Sequence, residues 1–475
     1  MLKNWHARPV NNRRTNFNQF IVMRHLLVLS LFTIFLSVSC RPEAPPVAGE
    51  YVVPDIRPRG DEAWLKGDSG VIFDQDELHT FEIWLPESAL ASINADPASE
   101  QYVAASLVFR GDTISPAGIR YKGSIGAFVG CLSGPDWGNP SGYKICPKLS
   151  MQVKINWEGR EETFYGLKKL QFHSMNLDPS QMRERLGYWF FRQMGVVAPR
   201  SVHARVMING RYSGLYALTE EVDGRFTDEH FSEGDGNLYK EIWPVRWDGR
   251  AYADWDYISH LETNEDTGPD VTMMRSFGLA IEHSTPSTIQ GIIETWMDVD
   301  NIITYAAIDR TIRVDDGPFH WYCDGNQCSN HNYYWYETPL AGKLHLIPWD
   351  MDNAFENIIG NVNPVTPIAD EWGQTRANCA PFPFGQAYIL QRSAACDKLT
   401  AGWASYTDLY EQKRAAFKSG PLSEAQVEPV LRAWTDQIRA ATQEARSVHP
   451  DALGMGQWEA ALLTLRQQLA HARVK

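Results

Sequence analysis

The first half of the chain alternates. HTFEIWLP at 79–86 and YVAASLVFRGDTI at 102–114 place apolar side chains at roughly every second position, the period of a half-buried strand. GIRYKG (118–123), KLSMQVKINW (148–157) and ETFYGLKKLQFHS (162–174) are further strand candidates. The period then changes. In DPSQMRERLGYWFFRQMGV (178–196), Met182, Leu186, Trp189 and Phe190 recur at helical spacing, with Asp178 or Ser180 as a cap and Gly195 as the stop. SVHARVMINGRYSGLYALTEEV (201–222) returns to alternation, and Asn209-Gly210 between its runs predicts a hairpin. The first half therefore predicts β-β-β-α-β-β. The second half predicts a helix at VDNIITYAAIDRTI (299–312) and long helices from about 401 to 474. Between these lie strands at HNYYWY (331–336) and LHLIPWD (344–350), joined by a turn at Ala341-Gly342.

The N-terminus follows neither period. Arg24-His25 precede LLVLSLFTIFLSVSC (26–40), a positive flank before a short apolar stretch, which reads as a secretory signal starting at Met23. The stretch is short for a membrane span. Cys40 directly after Ser37-Val38-Ser39 resembles a bacterial lipoprotein cleavage site, although Leu36 lies one position early. The alternative is an ordinary signal peptide followed by a free Cys. Residues 41–79 begin RPEAPPVAGEYVVPDIRPRG, a Pro-rich tether. The expected divisions are thus a leader at 1–40, a tether at 41–79, a β-rich part at 80–240 and a mainly helical part at 241–475.

Bulk composition narrows the class. The 475 residues are 44% apolar and 12% aromatic, enough for a large core and unlike a disordered chain. A net charge of -14 disfavours nucleic acid as a partner. Apart from Cys40, the cysteines fall in three local pairs: Cys131 with Cys146, Cys323 with Cys328, and Cys379 with Cys396. In an exported chain such pairs read as disulfides, and no zinc-like CxxC spacing occurs.

Chemistry concentrates in three stretches of the second half: RVDDGPFH (313–320), SNHNYYWY (329–336) and IPWDMDNAF (347–355). The strand–turn–strand between the last two brings Asn332 and Asp350 to one end of a hairpin. Carboxylates ending an apolar strand are costly unless paired. A loop Asp that orients an acceptor hydroxyl, with an Asn and a second Asp that hold magnesium, is the set of roles used in phosphoryl transfer. Asp and Asn also crowd turns for ordinary capping reasons.

Taken together, GIRYKGS (118–124), FYGLKKLQF (164–172), MRERLGYWFFRQMGVVAPR (182–200), MINGRYSGLYALTEEVD (207–223), GNLYK (236–240), HNYYWY and IPWDMDNAF resemble the CotH family of atypical, secreted-type protein kinases, in family order over roughly 80–360. The resemblance implies an α+β, two-lobed, atypical protein-kinase-like fold with a β-rich N-lobe and a mainly helical C-lobe. It also implies ATP with magnesium or manganese, and transfer to Ser or Thr of a protein substrate. Carried onto this chain, Asp316 is the catalytic Asp, with Asp315 able to exchange roles. Asp350 matches the metal-binding Asp, Asp352 supports it, and Asn332 is a further metal-ligand candidate. Lys122, Lys148 or Lys154 is expected to meet phosphate, and Glu184 to orient that Lys. The location implied is an exported, membrane-anchored lipoprotein, in the periplasm or at the cell surface.

The sequence departs from the family pattern in FHWYCDGNQCSN (319–330), a long stretch between Asp316 and Asn332, and in lacking a Walker-type loop or a tight GxGxxG. GSIG (123–126) is the remaining phosphate-cradle candidate. Two rival readings stand beside the kinase. One is a catalytically silent surface scaffold, using aromatics such as Phe319, Trp321 and Tyr322. The other is a metal-dependent hydrolase, for which His320 or His331 would lie beside Asp350. A Lys facing the Asp316/Asp350 cleft favours the kinase.

Overall fold

Strand alternation closes into a barrel. The computed structural model describes residues 69–475 apart from 125, 267, 361, 364–378 and 386–388. The leader, Cys40 and the tether up to 68 lie outside the described residues, as does Ile125 of the GSIG stretch. Among the described residues, packing already extends ahead of the expected boundary at 80: apolar Ile72 and Phe73 are buried with the barrel core.

The barrel strands are β1 (His79–Trp84), β2 (Val103–Phe109), β3 (Asp112–Tyr121), β4 (Met151–Lys154), β5 (Lys169–His173), β6 (Ser201–Ile208) and β7 (Arg211–Thr219). Their order is β1-β2-β3-β4-β5-β7-β6, closed by parallel pairing of β1 with β6. Burial along β1 alternates as its sequence predicts. Phe81, Phe109, Phe172 and Tyr216 fill the interior, with the first two rings stacked at 4.5 Å. At the β6–β7 turn, Asn209 (φ 48°) and Gly210 (φ 73°) take the left-handed conformations that a two-residue hairpin loop needs. The loop from 124 to 148 is stapled by the Cys131–Cys146 disulfide.

Helix α1 (Glu87–Ala95) follows β1, and α2 (Arg183–Gln193) connects β5 to β6. Asp178 does not cap α2 as its N-cap residue; its Oδ2 instead accepts from the Arg183 amide at 2.9 Å. Gly195 (φ 78°) lies just past the helix end.

After the barrel come α3 (Gly224–His230), β8 (Leu238–Lys240), α4 (Asp254–Ile258), α5 (Thr272–Glu282), α6 (Ile289–Trp296) and α7 (Val299–Ile312). The hairpin β9 (Trp321–Asp324) and β10 (Gln327–Ser329) is stapled by Cys323–Cys328. Strands β11 (Tyr333–Thr338) and β12 (Lys343–Pro348) pair as predicted, and β8 adds to the far side of β11. Strands β13 (Phe382–Phe384) and β14 (Ile389–Arg392) extend the β9–β10 sheet, and Cys379–Cys396 brackets them. Helices α8 (Lys398–Ala404), α9 (Thr407–Ser419), α10 (Glu424–Val448) and α11 (Met455–Val474) complete the chain.

The fold is thus mixed α+β, with one apolar core inside the barrel and a larger one among the helices. Helices α10 and α11 brace the elements around α2. The Tyr212 hydroxyl donates to the Ala441 carbonyl at 3.0 Å, and the Trp458 indole donates to the Ser180 carbonyl at 3.1 Å. The Arg185 guanidinium lies 4.0 Å over the Trp434 ring. Phe319 and Trp321, read above as exposed aromatics, are instead buried, because β14 lies alongside β9 and the helical core covers them. No helix among the described residues is long and apolar enough to cross a membrane.

Candidate active site

The turn after β12 carries two acids, and α2 holds that turn. Asp350 has φ 53°, a left-handed conformation that Asp tolerates better than most residues. Its amide donates to the Tyr188 hydroxyl of α2 at 2.9 Å. One helical turn earlier, Arg183 reaches the Asp352 carbonyl at 3.4 Å and pairs with Glu356. Between them Gly187 lets the turn approach: a Cβ there would stand 2.8 Å from the Met351 Cβ.

Asn332 (φ 61°) sits at the start of β11, across the same hairpin end, where the Trp349 amide donates to its carbonyl at 3.2 Å. Its side-chain amide donates to the Asp316 carboxylate and to the Asp316 carbonyl, each at 2.9 Å. Asp316 follows α7 on a short loop and also accepts from the Tyr322 hydroxyl of the stapled hairpin. Asp350 and Asp352 lie within the electrostatic reach of Asp316 and Glu184. Glu241, next to β8, accepts from the Asn332 amide at 3.2 Å and adds its charge near Asp316.

Crowding of like charge in a desolvated place has the expected effect. Burial, then Glu184, pushes Asp350 up to about 6. Burial, then Asp350, pushes Asp352 well above the carboxylate range. Burial raises Asp316, against the opposing pull of His331 and its hydrogen bonds. Such a set would gain from a cation. Its donors are carboxylate and amide oxygens, the hard ligands that magnesium and manganese prefer. Among the described residues, no three His, Cys, Asp or Glu side chains are grouped tightly enough to hold a metal by themselves.

Of the three lysines singled out above, Lys122 lies with these acids. It follows β3 directly, and Asp350 and Glu184 both act on it. Burial lowers it to about 8. Its Nζ donates to the Gln171 amide oxygen and lies 3.1 Å from His173 Nε2. The opposite nitrogen of that ring, Nδ1, is 2.6 Å from Glu184 Oε1, which also accepts from the Thr219 hydroxyl at 2.8 Å. Lys122 and Glu184 are therefore linked through an imidazole. Gln171 is anchored in turn by Glu221, whose other oxygen is 3.0 Å from Lys169 Nζ.

The structure does not bring Lys148 and Lys154 to this place. Lys148 donates to the Leu215 carbonyl and lies 5.1 Å over the Tyr216 ring. Lys154 ends β4 opposite Gly118 and Lys169 in register. Asp315 is also elsewhere. It is fully buried, 3.3 Å from Arg313 and bonded to Asn357. Sequence reasoning did not find His173, Gln171, Glu221, Glu241 or Tyr188. A lone His or Gln on a strand carries no motif.

The CotH kinase protein family model matches residues 119–471. The chain is 26% identical over 196 residues to Inner spore coat protein H of Bacillus subtilis (strain 168), covering 40% of this chain and 51% of that protein. It is 40% identical over 63 residues to Inner spore coat protein H-like protein of the same organism, covering 13% of this chain and 20% of that one. The chain thus spans about half the length of the first of these relatives and a fifth of the second. Among solved structures it is similar to a chain of the Shewanella oneidensis MR-1 Toxin Antitoxin System HipA, HipB and its operator DNA complex, at 13% identity and a TM-score of 0.26, covering 68% of this chain and 63% of that one. The site and the family model define a kinase-like protein. The chain belongs to the CotH kinase family.

Proposed function

We propose that the chain is an ATP-dependent protein kinase, exported and held at a membrane through a lipidated Cys40, that phosphorylates Ser or Thr of a surface or envelope protein. The observation that carries the reading is that Lys122, tied to Glu184 on α2 through His173, lies within electrostatic reach of Asp350, which is in turn within reach of Asp316 and its partner Asn332. The barrel and the helical part then read as the two lobes of a kinase-like fold, with ATP between them.

In this reading Asp350 and Asn332 hold magnesium or manganese, with Asp352 in support. The metal, when bound, screens the charge on the phosphates. Lys122 supplies a fixed positive charge for them. Asp316, steered by Asn332 and the Tyr322 hydroxyl, orients the acceptor hydroxyl and takes its proton. Asp315, bound to Arg313 and Asn357, supports the loop from behind.

The rival readings have less behind them. Lys122 in the cleft weighs against the hydrolase. Burial of Phe319 and Trp321 takes two of the three aromatics offered for the scaffold off the surface and leaves Tyr322 half-buried. The deciding experiment incubates the purified chain with γ-labelled ATP, manganese or magnesium and a Ser-rich protein acceptor, beside Asp350→Ala and Asp316→Asn. Metal-dependent label transfer that both substitutions abolish is the expected result. No transfer, together with no metal-dependent thermal shift from ATP, would overturn the reading.

A further inference from the structure

The geometry points to His173 as a positioning residue that fixes Lys122 by bridging it to Glu184, in place of a direct Lys–carboxylate pair. The functional half of this inference rests on the kinase reading; the structural half does not.

The chemistry of the partners dictates the state of the ring. A Glu184 carboxylate only accepts hydrogen bonds, so His173 Nδ1, 2.6 Å away, must donate. A Lys122 ammonium only donates, so His173 Nε2, 3.1 Å away, must accept. Both demands are met by the neutral Nδ1–H tautomer alone. The other tautomer would leave Nδ1 without a proton to give, and a doubly protonated ring would aim an N–H at the ammonium.

The surroundings hold this arrangement from four sides. On β7, the Thr219 hydroxyl fixes the same Glu184 oxygen at 2.8 Å. On β5, the Gln171 side-chain oxygen accepts a second hydrogen bond from Lys122, lies 3.4 Å from His173 Nε2, and Gln171 is itself anchored by Glu221. Glu221, Lys240 of β8, Asp350 and Glu184 contribute their charges to Lys122. The Trp349 ring stands edge-to-face with His173 at 5.9 Å and lies 5.7 Å from the Lys122 ammonium. Trp349 immediately precedes Asp350, so one imidazole touches the barrel cation, helix α2 and the acidic turn.

A bridged pair differs from a direct one in a useful way. A direct contact with Glu184 would neutralise Lys122. Here its hydrogen-bond partners are a neutral ring and a neutral amide, and Glu221, Asp350 and Glu184 act on it without a direct contact, which leaves its N–H groups freer for phosphate. The link also makes the position of Lys122 depend on α2: a shift of Glu184 removes the acceptor that selects the ring tautomer.

Two measurements on the full chain test this. The first is structural and independent of any phosphoryl transfer. In the protein labelled with nitrogen-15 histidine, His173 is identified by its loss in His173→Gln, and its ring shifts report which nitrogen carries the proton. The expected result is the Nδ1–H tautomer at neutral pH, lost in Glu184→Ala. An Nε2–H or doubly protonated ring would overturn the bridge.

The second is kinetic. His173→Gln keeps an amide near the Nε2 position, and His173→Asn keeps one near Nδ1. Each removes one charge-assisted hydrogen bond, so each is expected to lower kcat for phosphoryl transfer about tenfold or more, with a smaller change in the KM for ATP. Adding either substitution to Lys122→Ala is expected to cost nothing further, since His173 acts through Lys122. Losses that multiply, or a Gln variant with full activity, would overturn the positioning role. A wild-type protein without transfer would remove the kinase reading and leave the tautomer measurement to decide the bridge.

Discussion

Asp315 and Asp316 are neighbours in the chain and face different partners. Asp316 meets Asn332 and Tyr322 at the cleft, whereas Asp315 is turned inward onto Arg313 and Asn357. Asp316→Asn should lower transfer about 10²–10⁴-fold, the range for losing a general base. Asp315→Asn should leave kcat within a few-fold. Burial pushes Asp315 up to about 7, so its contribution to stability is present at low pH and lost as pH rises through about 7. The Asn variant, which has no charge to bury, should therefore gain in Tm relative to wild type between pH 5 and 8. A constant Tm difference across that range would count against the assignment.

The pH dependence of activity follows from Asp350 and Lys122. The kcat/KM for ATP should rise through about 6, as Asp350 ionises and can take a cation, and fall through about 8, as Lys122 loses its proton. Lys122→Arg keeps its charge above that range and should abolish the upper limb while lowering the maximum. An upper limb unmoved in the Arg variant would assign it to another group.

Metal should matter more to stability at neutral than at acid pH. Asp350 has a folded value above its unfolded one, so the metal-free chain loses its contribution as pH rises through about 6. A cation bound to the ionised form offsets this loss. The rise in Tm on adding manganese with ATP should grow between pH 5 and 7. Chelator should remove it.

Gly187 is the point where α2 meets the acidic turn. Gly187→Ala places a Cβ 2.8 Å from Met351 Cβ and 2.9 Å from its Cγ. Overpacking of this kind costs about 1–3 kcal/mol. Denaturant unfolding should show that loss, and kcat should fall with it, because the turn that carries Asp350 must move. Met351→Ala in the same chain should recover part of both.

The stapled hairpin sets a side chain on Asp316. Tyr322 lies beside Cys323, and the disulfide to Cys328 closes the hairpin around it. Tyr322→Phe should reduce kcat several-fold at unchanged KM for ATP. Replacing Cys323 and Cys328 together by Ser should give a similar reduction and leave the Asp350-dependent thermal shift intact. A change confined to KM would place the hairpin at the nucleotide instead.

What was legible in the sequence was what is local. The Asn209-Gly210 turn, the apolar face of α2 and the pairing of β11 with β12 are written in consecutive residues. Lys122, Glu184, Asp316, Asn332 and Asp350 could be named, beside Lys148, Lys154, Asp315 and Asp352, because the local motifs carry the resemblance to the CotH family. Barrel closure could not be read, since it rests on β1 pairing in parallel with β6, more than a hundred residues away. Strand β8, Leu238–Lys240, is too short to show a period. His173 was invisible because its role exists only where three distant segments meet. Phe319 and Trp321 were misplaced because the strand that helps to cover them, β14, lies far along the chain and has no strong signal of its own.

The bracing of α2 by α10 and α11 has a consequence for the order of events during synthesis. Domains form as the chain emerges from the N-terminus onward. The barrel strands emerge early and carry their own core. Yet the contacts of Arg185 with Trp434, Ser180 with Trp458 and Tyr212 with Ala441 form only when α10 and α11 have been made. The helix that holds Glu184 is tied to the barrel through His173 and Thr219 first and gains the braces of α10 and α11 afterwards. A nascent chain that lacks α10 and α11 holds the barrel strands without these braces on α2, so the seat of the acidic turn after β12 is completed only once they have emerged.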